Sequence, residues 1–241
     1  MHLALRESLA FVARWLPAGS RVVDVGCGHG GLAAALAAQG HLVTGVDLCL
    51  HPHRPPGVRF VETDFLAFDS APVDAVIMVA SLHHIAPVAD AVARAARMLA
   101  PAGVLIVDDF AVEAPDAATA RWYYETQELL AAAGLFPRDH VRGDPGDDPV
   151  ARWQAEHAHD VPLTPGADMA AAIAARLAVV HHERGPYLYR YIDAGVTHAG
   201  GPRADAIAEH ALAVERRRIR AGTLVPVGLR IVARRVASHS P

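Results

Sequence analysis

The stretch Val22-Val23-Asp24-Val25-Gly26-Cys27-Gly28-His29-Gly30-Gly31 constrains this chain more than any other. It opens on β-branched residues, the composition of a buried strand. It turns on closely spaced glycines and runs into Leu32-Ala33-Ala34-Ala35-Leu36-Ala37-Ala38, a segment of high helix propensity. A strand, a glycine turn and a helix make the first half of a βαβ unit. Glycine places no Cβ between backbone N–H groups and a ligand, and the helix N-terminus adds partial positive charge. That arrangement suits the anionic or polar end of a cofactor. Two patterns overlap in it. Gly26, Gly28 and Gly31 satisfy G-x-G-x-x-G, the dinucleotide fingerprint. Asp24, Gly26, Gly28 and Gly30 satisfy D-x-G-x-G-x-G. The stretch alone does not choose between them.

The rest of the chain extends the βα pattern. Apolar positions Leu5, Leu9, Val12, Ala13 and Leu16 predict a helix over residues 3–16, ended by Pro17-Ala18-Gly19. Strands are predicted over 21–25, 41–47, 58–61, 74–79 and 104–110, with helices from the glycine loop to Gly40 and over 87–99. Asp47 closes the second strand, where an acid can accept two hydrogen bonds from a ribose diol. Residues 48–57, rich in Pro and His, read as an irregular connection. Asp64 and Phe65 follow the third strand; a carboxylate beside an aromatic ring suits an adenine. Ala80-Ser81-Leu82-His83-His84 follows the fourth, and open α/β sheets bind ligands outside the carboxyl ends of their strands.

Composition narrows the function classes. The formal net charge of −4 gives no electrostatic footprint for nucleic acid. The basic residues are all Arg, so no lysine is present to act as nucleophile or Schiff base. Cys27 and Cys49 make neither a disulfide framework nor a zinc site and read as small fillers. No apolar run reaches the ~18 residues of a membrane span. With no signal-peptide pattern before Arg6 and Glu7, the expectation is a cytoplasmic protein without membrane contact.

Taken together, Asp24-x-Gly26-x-Gly28-x-Gly30, Asp47, Glu62-Thr63-Asp64-Phe65, Asp74-Ala75-Val76 with Ser81-Leu82-His83-His84, and Leu99-Ala100-Pro101-Ala102-Gly103-Val104-Leu105 resemble motifs I to VI of the class I S-adenosylmethionine (SAM)-dependent methyltransferases. The family's Pro-Gly-Gly turn stands here as Pro101-Ala102-Gly103. The resemblance covers roughly residues 20–112. It implies an α/β fold: a Rossmann-like seven-stranded sheet in the order 3-2-1-4-5-7-6, its last strand antiparallel, flanked by helices; the long loop-like stretch after strand five reads as an inserted lid. The resemblance also implies SAM as cofactor and S-adenosylhomocysteine as product. Gly26, Gly28 and Gly30 would approach the methionine part, and Asp24 would steer its ammonium. Asp47 would hold the ribose, Asp64 and Phe65 the adenine, and the backbone at Val79 and Ala80 would face the sulfonium; Leu48, beside Asp47, counts with the cofactor-binding residues.

One domain over 1–241 is expected: an N-terminal helix (1–17), a SAM-binding core (20–112), a lid or acceptor-binding insertion (113–165) and the rest of the sheet (166–241). In the second half, helices are predicted over 116–133, 167–177 and 203–220, with strands over 179–184 and 224–232. Residues 134–165 read as loop, and Tyr187, Tyr189 and Tyr191 as one face of a strand-like segment. The Asn/Asp-Pro-Pro-Tyr/Phe motif of amino-methylating enzymes is absent, so the expected partner is a small-molecule acceptor, methylated on O or N, and not nucleic acid. A homodimer is left open. His83, after strand four, and His157, in the insertion, are the candidate general bases. No metal is expected. The alternatives are a SAM-binding protein without catalysis and a NAD(P)-dependent oxidoreductase.

Overall fold

The computed structural model describes residues 1–144, 146–200 and 202–235. They fall into two compact units. The first comprises Glu7–Phe110, Thr164–Glu183 and the chain from Leu229. The second comprises Met1–Arg6, Ala111–Leu163 and Arg184–Gly228.

The first unit is built on a mixed sheet of seven strands in the order β3-β2-β1-β4-β5-β7-β6. The strands are β1 (Arg21–Val25), β2 (Leu42–Asp47), β3 (Val58–Glu62), β4 (Val73–Val79), β5 (Leu99–Phe110), β6 (Ala178–Gly185) and β7 (Gly228–Arg234). The first five pair in parallel, with Val23 opposite Thr44 on one side and Val76 on the other. Strands buried on both faces need apolar residues throughout, and β1 and β4 supply them. Strand β7 runs the other way along β5. The Arg235 N–H donates to the Gly103 carbonyl near the start of β5, while Arg230 reaches Asp108 near its end. The expected order and the antiparallel last strand are both observed.

Helices α1 (Leu3–Ala13), α2 (Gly31–Ala38), α3 (Val88–Met98) and α6 (Gly166–Ala174) flank this sheet. Ala91, Val92, Ala95 and Met98 of α3 meet Met169 and Ile173 of α6 in a core that also takes Val23, Val76, Leu105 and Ile231. The chain moves outward from β1 to β2 and β3, then returns to β4 on the other side of β1. The connections after β1 and β4 therefore diverge, and a crevice opens at the carboxyl ends of the strands. Residues 48–57 contain no helix, as expected.

Residues 100–103, expected as a turn, lie inside β5. Leu99 pairs with Val73 and Val104 with Ala75, so a bulge absorbs Pro101, which has no N–H to give the ladder, and Ala102, at φ 63°. The last strand begins at Gly228 and not at 224.

The second unit is helical: α4 (Ala117–Ala132), α5 (Pro149–Glu156), α7 (Tyr189–Ala199) and α8 (Ala204–Arg220). Two expectations are corrected here. Residues 134–165 are not all loop. Asp148 accepts from the Val150 and Ala151 N–H groups at 3.0 and 2.9 Å and caps α5, with Pro149 at its first position. Asp followed by Pro is a helix-start signal that the loop-like composition hid. Likewise Tyr189 and Tyr191 are helical, not strand-like. Buried Glu215 of α8 accepts from the N–H groups of Tyr187, Leu188 and Tyr189 at 2.8, 3.0 and 2.9 Å. A carboxylate from 26 to 28 residues away thus satisfies the amide of the first residue of α7 and the two amides before it. Trp153 of α5, 2% exposed, donates from its indole to the Val112 carbonyl at 2.7 Å and packs edge-on against Tyr123. Among the described residues no helix is long and apolar enough to cross a membrane.

Candidate active site

A cavity of about 430 Å³ opens at the carboxyl ends of β1, β2, β3 and β4. Its lining is mostly apolar with two carboxylates, Asp47 and Asp64. That volume is in the range of ordinary small-ligand sites.

Val25 and Gly26, at the start of the glycine loop, line one wall; Asp24, Gly28 and Gly30 stand outside the lining. Gly26 has φ 69°, and a Cβ placed on it would stand 2.5 Å from the Ser81 Cβ. Ser81 is held there by its hydroxyl, which donates to the Val25 carbonyl at 2.8 Å. Gly28, at φ 51°, has open space around it, and its N–H donates to Asp47 Oδ2 at 2.8 Å. Gly30, at φ 73°, caps α2 under the Phe60 ring, which a Cβ would meet at 2.6 Å. Replacing Gly26 by alanine is expected to destabilise the protein by about 2 kcal/mol, because the left-handed backbone and the clash both act. The same change at Gly28 meets only the backbone term and is expected to cost about 1 kcal/mol. Urea unfolding of the two variants checks the order, and equal losses would show that Ser81 yields freely.

Asp47 ends β2, with Oδ1 accepting from the Cys49 N–H at 3.3 Å. Asp64 follows β3, with Oδ1 accepting from the Leu66 N–H at 2.8 Å. The Phe65 ring lies beside it, buried. Asp24 is different. It sits inside β1, 3% exposed, and no described residue donates a hydrogen bond to its carboxylate. Burial, and then the negative charge of Asp47, push its pKa up to about 7. Such a group is a carboxylate short of a cation. Cys27 is half-buried under Gly45, and burial, then Asp24 and Asp47, push its thiol up to about 12. A thiol held up in this way is a poor nucleophile and suits a packing role.

At the end of β4 the chain leaves the sheet through Ala80, whose φ of 50° is unusual for a residue with a Cβ. The Ala80 N–H donates to the Asp108 carbonyl at 3.0 Å. This bend brings Ala80 and Ser81 onto the cavity wall, followed by His84, Ile85 and Ala86. Val79 is the last residue of β4, directly before that wall but not part of the lining.

Of the residues singled out in the sequence, Gly26, Asp47, Leu48, Asp64, Phe65 and Ala80 line one cavity. Sequence reasoning missed Ser81 and His84 as lining residues. The apolar residues Leu66, Ile85 and Ala86 carry no chemical signature that could have marked them. His83 is not in the lining. It lies in a 3₁₀ turn (Leu82–His84), 5% exposed, with Nδ1 2.6 Å from Asp109 Oδ1. His157 belongs to the second unit. Its ring stacks on Trp153 at 3.8 Å, with Nδ1 2.9 Å from the Trp153 carbonyl and Nε2 3.0 Å from the Tyr191 hydroxyl.

The family model described as a methyltransferase domain matches residues 1–145. A ubiquinone biosynthesis O-methyltransferase of Xylella fastidiosa is 35% identical over 120 residues, covering 44% of this chain and 49% of the relative. A phthiotriol/phenolphthiotriol dimycocerosates methyltransferase of Mycobacterium ulcerans is 33% identical over 102 residues, 38% of each chain. The chain thus spans half or less of the length of these curated relatives. Among solved structures, phosphoethanolamine N-methyltransferase 2 of Haemonchus contortus, in complex with SAM, has a TM-score of 0.58 at 16% identity, covering 95% of this chain and 52% of that one. It shares the fold. With more than half of its length matched by the family model and its strands in the expected order, this chain belongs to the class I SAM-dependent methyltransferases.

Proposed function

We propose that the protein transfers the methyl group of SAM to an oxygen or nitrogen atom of a small molecule. The observation that carries this reading is Asp24: a buried, unpartnered carboxylate in the strand that leads into a cavity bearing two further carboxylates. Its demand for a cation fits the ammonium and sulfonium of SAM. The same cavity offers Asp47 for a ribose diol and Asp64 with Phe65 for an adenine. Bound there, SAM supplies a methyl group on a sulfonium whose leaving group is a neutral thioether.

The chain's own residues then bind, orient and take up a proton. Gly26, Gly28 and Gly30 let the loop approach the methionine part. Half-buried Leu66 and Ile85 line the site and would exclude water from it, while Leu48 stands exposed at its rim. Val79 and Ala80 present backbone at the sulfonium end. Methyl transfer is an in-line displacement, so holding the acceptor on that line is the main contribution. An acceptor O–H or N–H also needs a base. His83 is assigned that role. His157 is the weaker candidate, because both of its ring nitrogens are engaged within its own unit.

The small-molecule acceptor is supported by the relatives, one named for ubiquinone biosynthesis and one for phthiotriol and phenolphthiotriol dimycocerosates. The formal charge of −4 argues in the same direction, away from nucleic acid. A cytoplasmic site of action is part of the same reading.

Calorimetric titration of the purified protein with SAM, S-adenosylhomocysteine and NADH tests it. Micromolar binding of the first two and none of the third is expected. S-adenosylhomocysteine release is then measured with catechol and with benzylamine as acceptor probes. Binding of NADH without SAM would sink the proposal. SAM binding without turnover over a wide range of phenols, amines and carboxylates would favour a non-catalytic SAM-binding protein.

A further inference from the structure

We propose that Asp109 is a positioning residue that fixes His83 as the base for the acceptor's proton; this rests on the methyltransferase reading above. Asp108 and Asp109 end β5 side by side, and successive side chains of a strand point to opposite faces. Asp108 accepts from the Ser8 hydroxyl at 2.9 Å and from Arg230 Nε at 3.0 Å. Asp109, fully buried, faces His83.

Three donors converge on Asp109. Oδ1 takes His83 Nδ1 at 2.6 Å and the Phe110 N–H at 2.8 Å, and Oδ2 takes the His83 N–H at 3.3 Å. So held, the carboxylate cannot swing. A carboxylate at that distance accepts, so Nδ1 carries the proton, and whenever the ring is neutral its lone pair lies on Nε2. The ring itself is clamped. Phe110 meets it edge-on at 4.8 Å, His84 lies against it at 4.0 Å, and the His83 carbonyl accepts from the Thr164 N–H at 2.8 Å.

Nε2 is the one ring atom left to act. It has no hydrogen-bond partner among the described residues, yet it is not among the polar atoms sealed from solvent. The small exposed part of this 5% exposed residue therefore includes Nε2. A buried carboxylate, a fixed tautomer and one accessible nitrogen are the parts of a base held by an orienting acid. His84, the next residue, lines the cavity proposed for the cofactor, so the base stands one residue along the chain from that wall. When the acceptor gives up its proton to Nε2, the bond pair stays on the acceptor atom, which would then bond to the methyl carbon as the methyl–sulfur bond breaks and its pair leaves with the neutral thioether. The imidazolium left behind faces the Asp109 carboxylate.

The full-length protein and its Asp109→Asn and His83→Gln variants test the assignment. Diethylpyrocarbonate labelling, resolved by peptide mass mapping across pH 5.5 to 8, reads Nε2 without any acceptor. His83 of the unmodified chain is expected to take one carbethoxy group. In Asp109→Asn the amide can donate to Nδ1 and move the proton to Nε2, so labelling of His83 is expected to slow at least tenfold. SAM affinity, by calorimetry, should stay within twofold in both variants. With catechol as acceptor, Asp109→Asn should lower kcat about thirtyfold with KM within twofold, and His83→Gln should lower kcat at least as much. An unlabelled His83 in the folded protein, wild-type labelling in Asp109→Asn, or unchanged kcat overturns the proposal. The labelling decides it even where catechol is not methylated. Failure of the unmodified chain to bind SAM would instead strike the methyltransferase reading, and the base with it.

Discussion

Replacing Asp47 by alanine is expected to weaken SAM binding about a thousandfold. The carboxylate ends β2 on the cavity wall, and in the proposed reading it would accept two charge-assisted hydrogen bonds from a ribose diol, worth roughly 2 kcal/mol each, about 4 kcal/mol together. A second effect adds to the first. Asp47 Oδ2 already accepts from the Gly28 N–H at 2.8 Å, so the same side chain steadies the glycine loop. Asp47→Asn keeps one acceptor and is expected to lose about a tenth as much affinity. Calorimetry on both variants, with melting curves to confirm folding, reads the result. An alanine variant that binds SAM within threefold of the unmodified chain would remove Asp47 from the ribose site.

Asp24→Asn is expected to do two opposite things. It should stabilise the ligand-free protein at alkaline pH and impair SAM binding. The Asp24 pKa is 3.8 in the unfolded chain and about 7 in the fold, because burial and Asp47 both disfavour the charge. The folded state therefore holds this proton more tightly. Well below pH 3.8 the difference contributes nothing. Between 3.8 and about 7 the unfolded chain ionises first, and stability falls as pH rises. Above about 7 the full cost remains, on the order of 4 kcal/mol for a shift of this size. Asparagine has no such charge, so its melting temperature should exceed that of the unmodified chain at pH 8, and the gap should close towards pH 4.

Binding runs the other way. A cationic ligand needs the ionised carboxylate, so SAM affinity of the unmodified chain should rise by up to tenfold per pH unit from pH 5 to 7 and flatten above. In Asp24→Asn this dependence should vanish and affinity should stay low throughout. Paired melting and calorimetric series from pH 5 to 8 check both arms. A pH-independent affinity in the unmodified chain would show that Asp24 does not meet the cation. On the proposed reading the stability cost has a functional side: a cationic ligand would satisfy a charge that the empty fold disfavours.

Much of this site was legible before any coordinates. Gly26, Asp47, Asp64, Phe65 and Ala80 each stand at the carboxyl end of a strand, and the strands are short apolar runs bounded by turns. Position along the chain therefore located them. Other features depended on partners far away in sequence. Nothing near Tyr189 announces a helix, because the cap of α7 is Glu215. Nothing near His83 announces its fixed tautomer, because Asp109 is 26 residues on. Gly26 is glycine partly because Ser81, 55 positions later, covers it. The start signal of α5, Asp148-Pro149, was local and readable, and loop-like composition concealed it.

By itself the sequence determined the succession of strands and helices in the first 110 residues, the glycine turn and the acids at the strand ends. Those follow from periodicity and turn chemistry, which act over a few residues. The place of β7 between β5 and β6 is different. Its alternating apolar pattern fits either edge of the sheet, and only resemblance to a family supplied the order in advance. Tertiary structure alone decided which buried amides and carboxylates find partners, and which do not. Long-range packing sets the burial that holds the Asp24 proton and the donors that hold Asp109, and no local pattern encodes either.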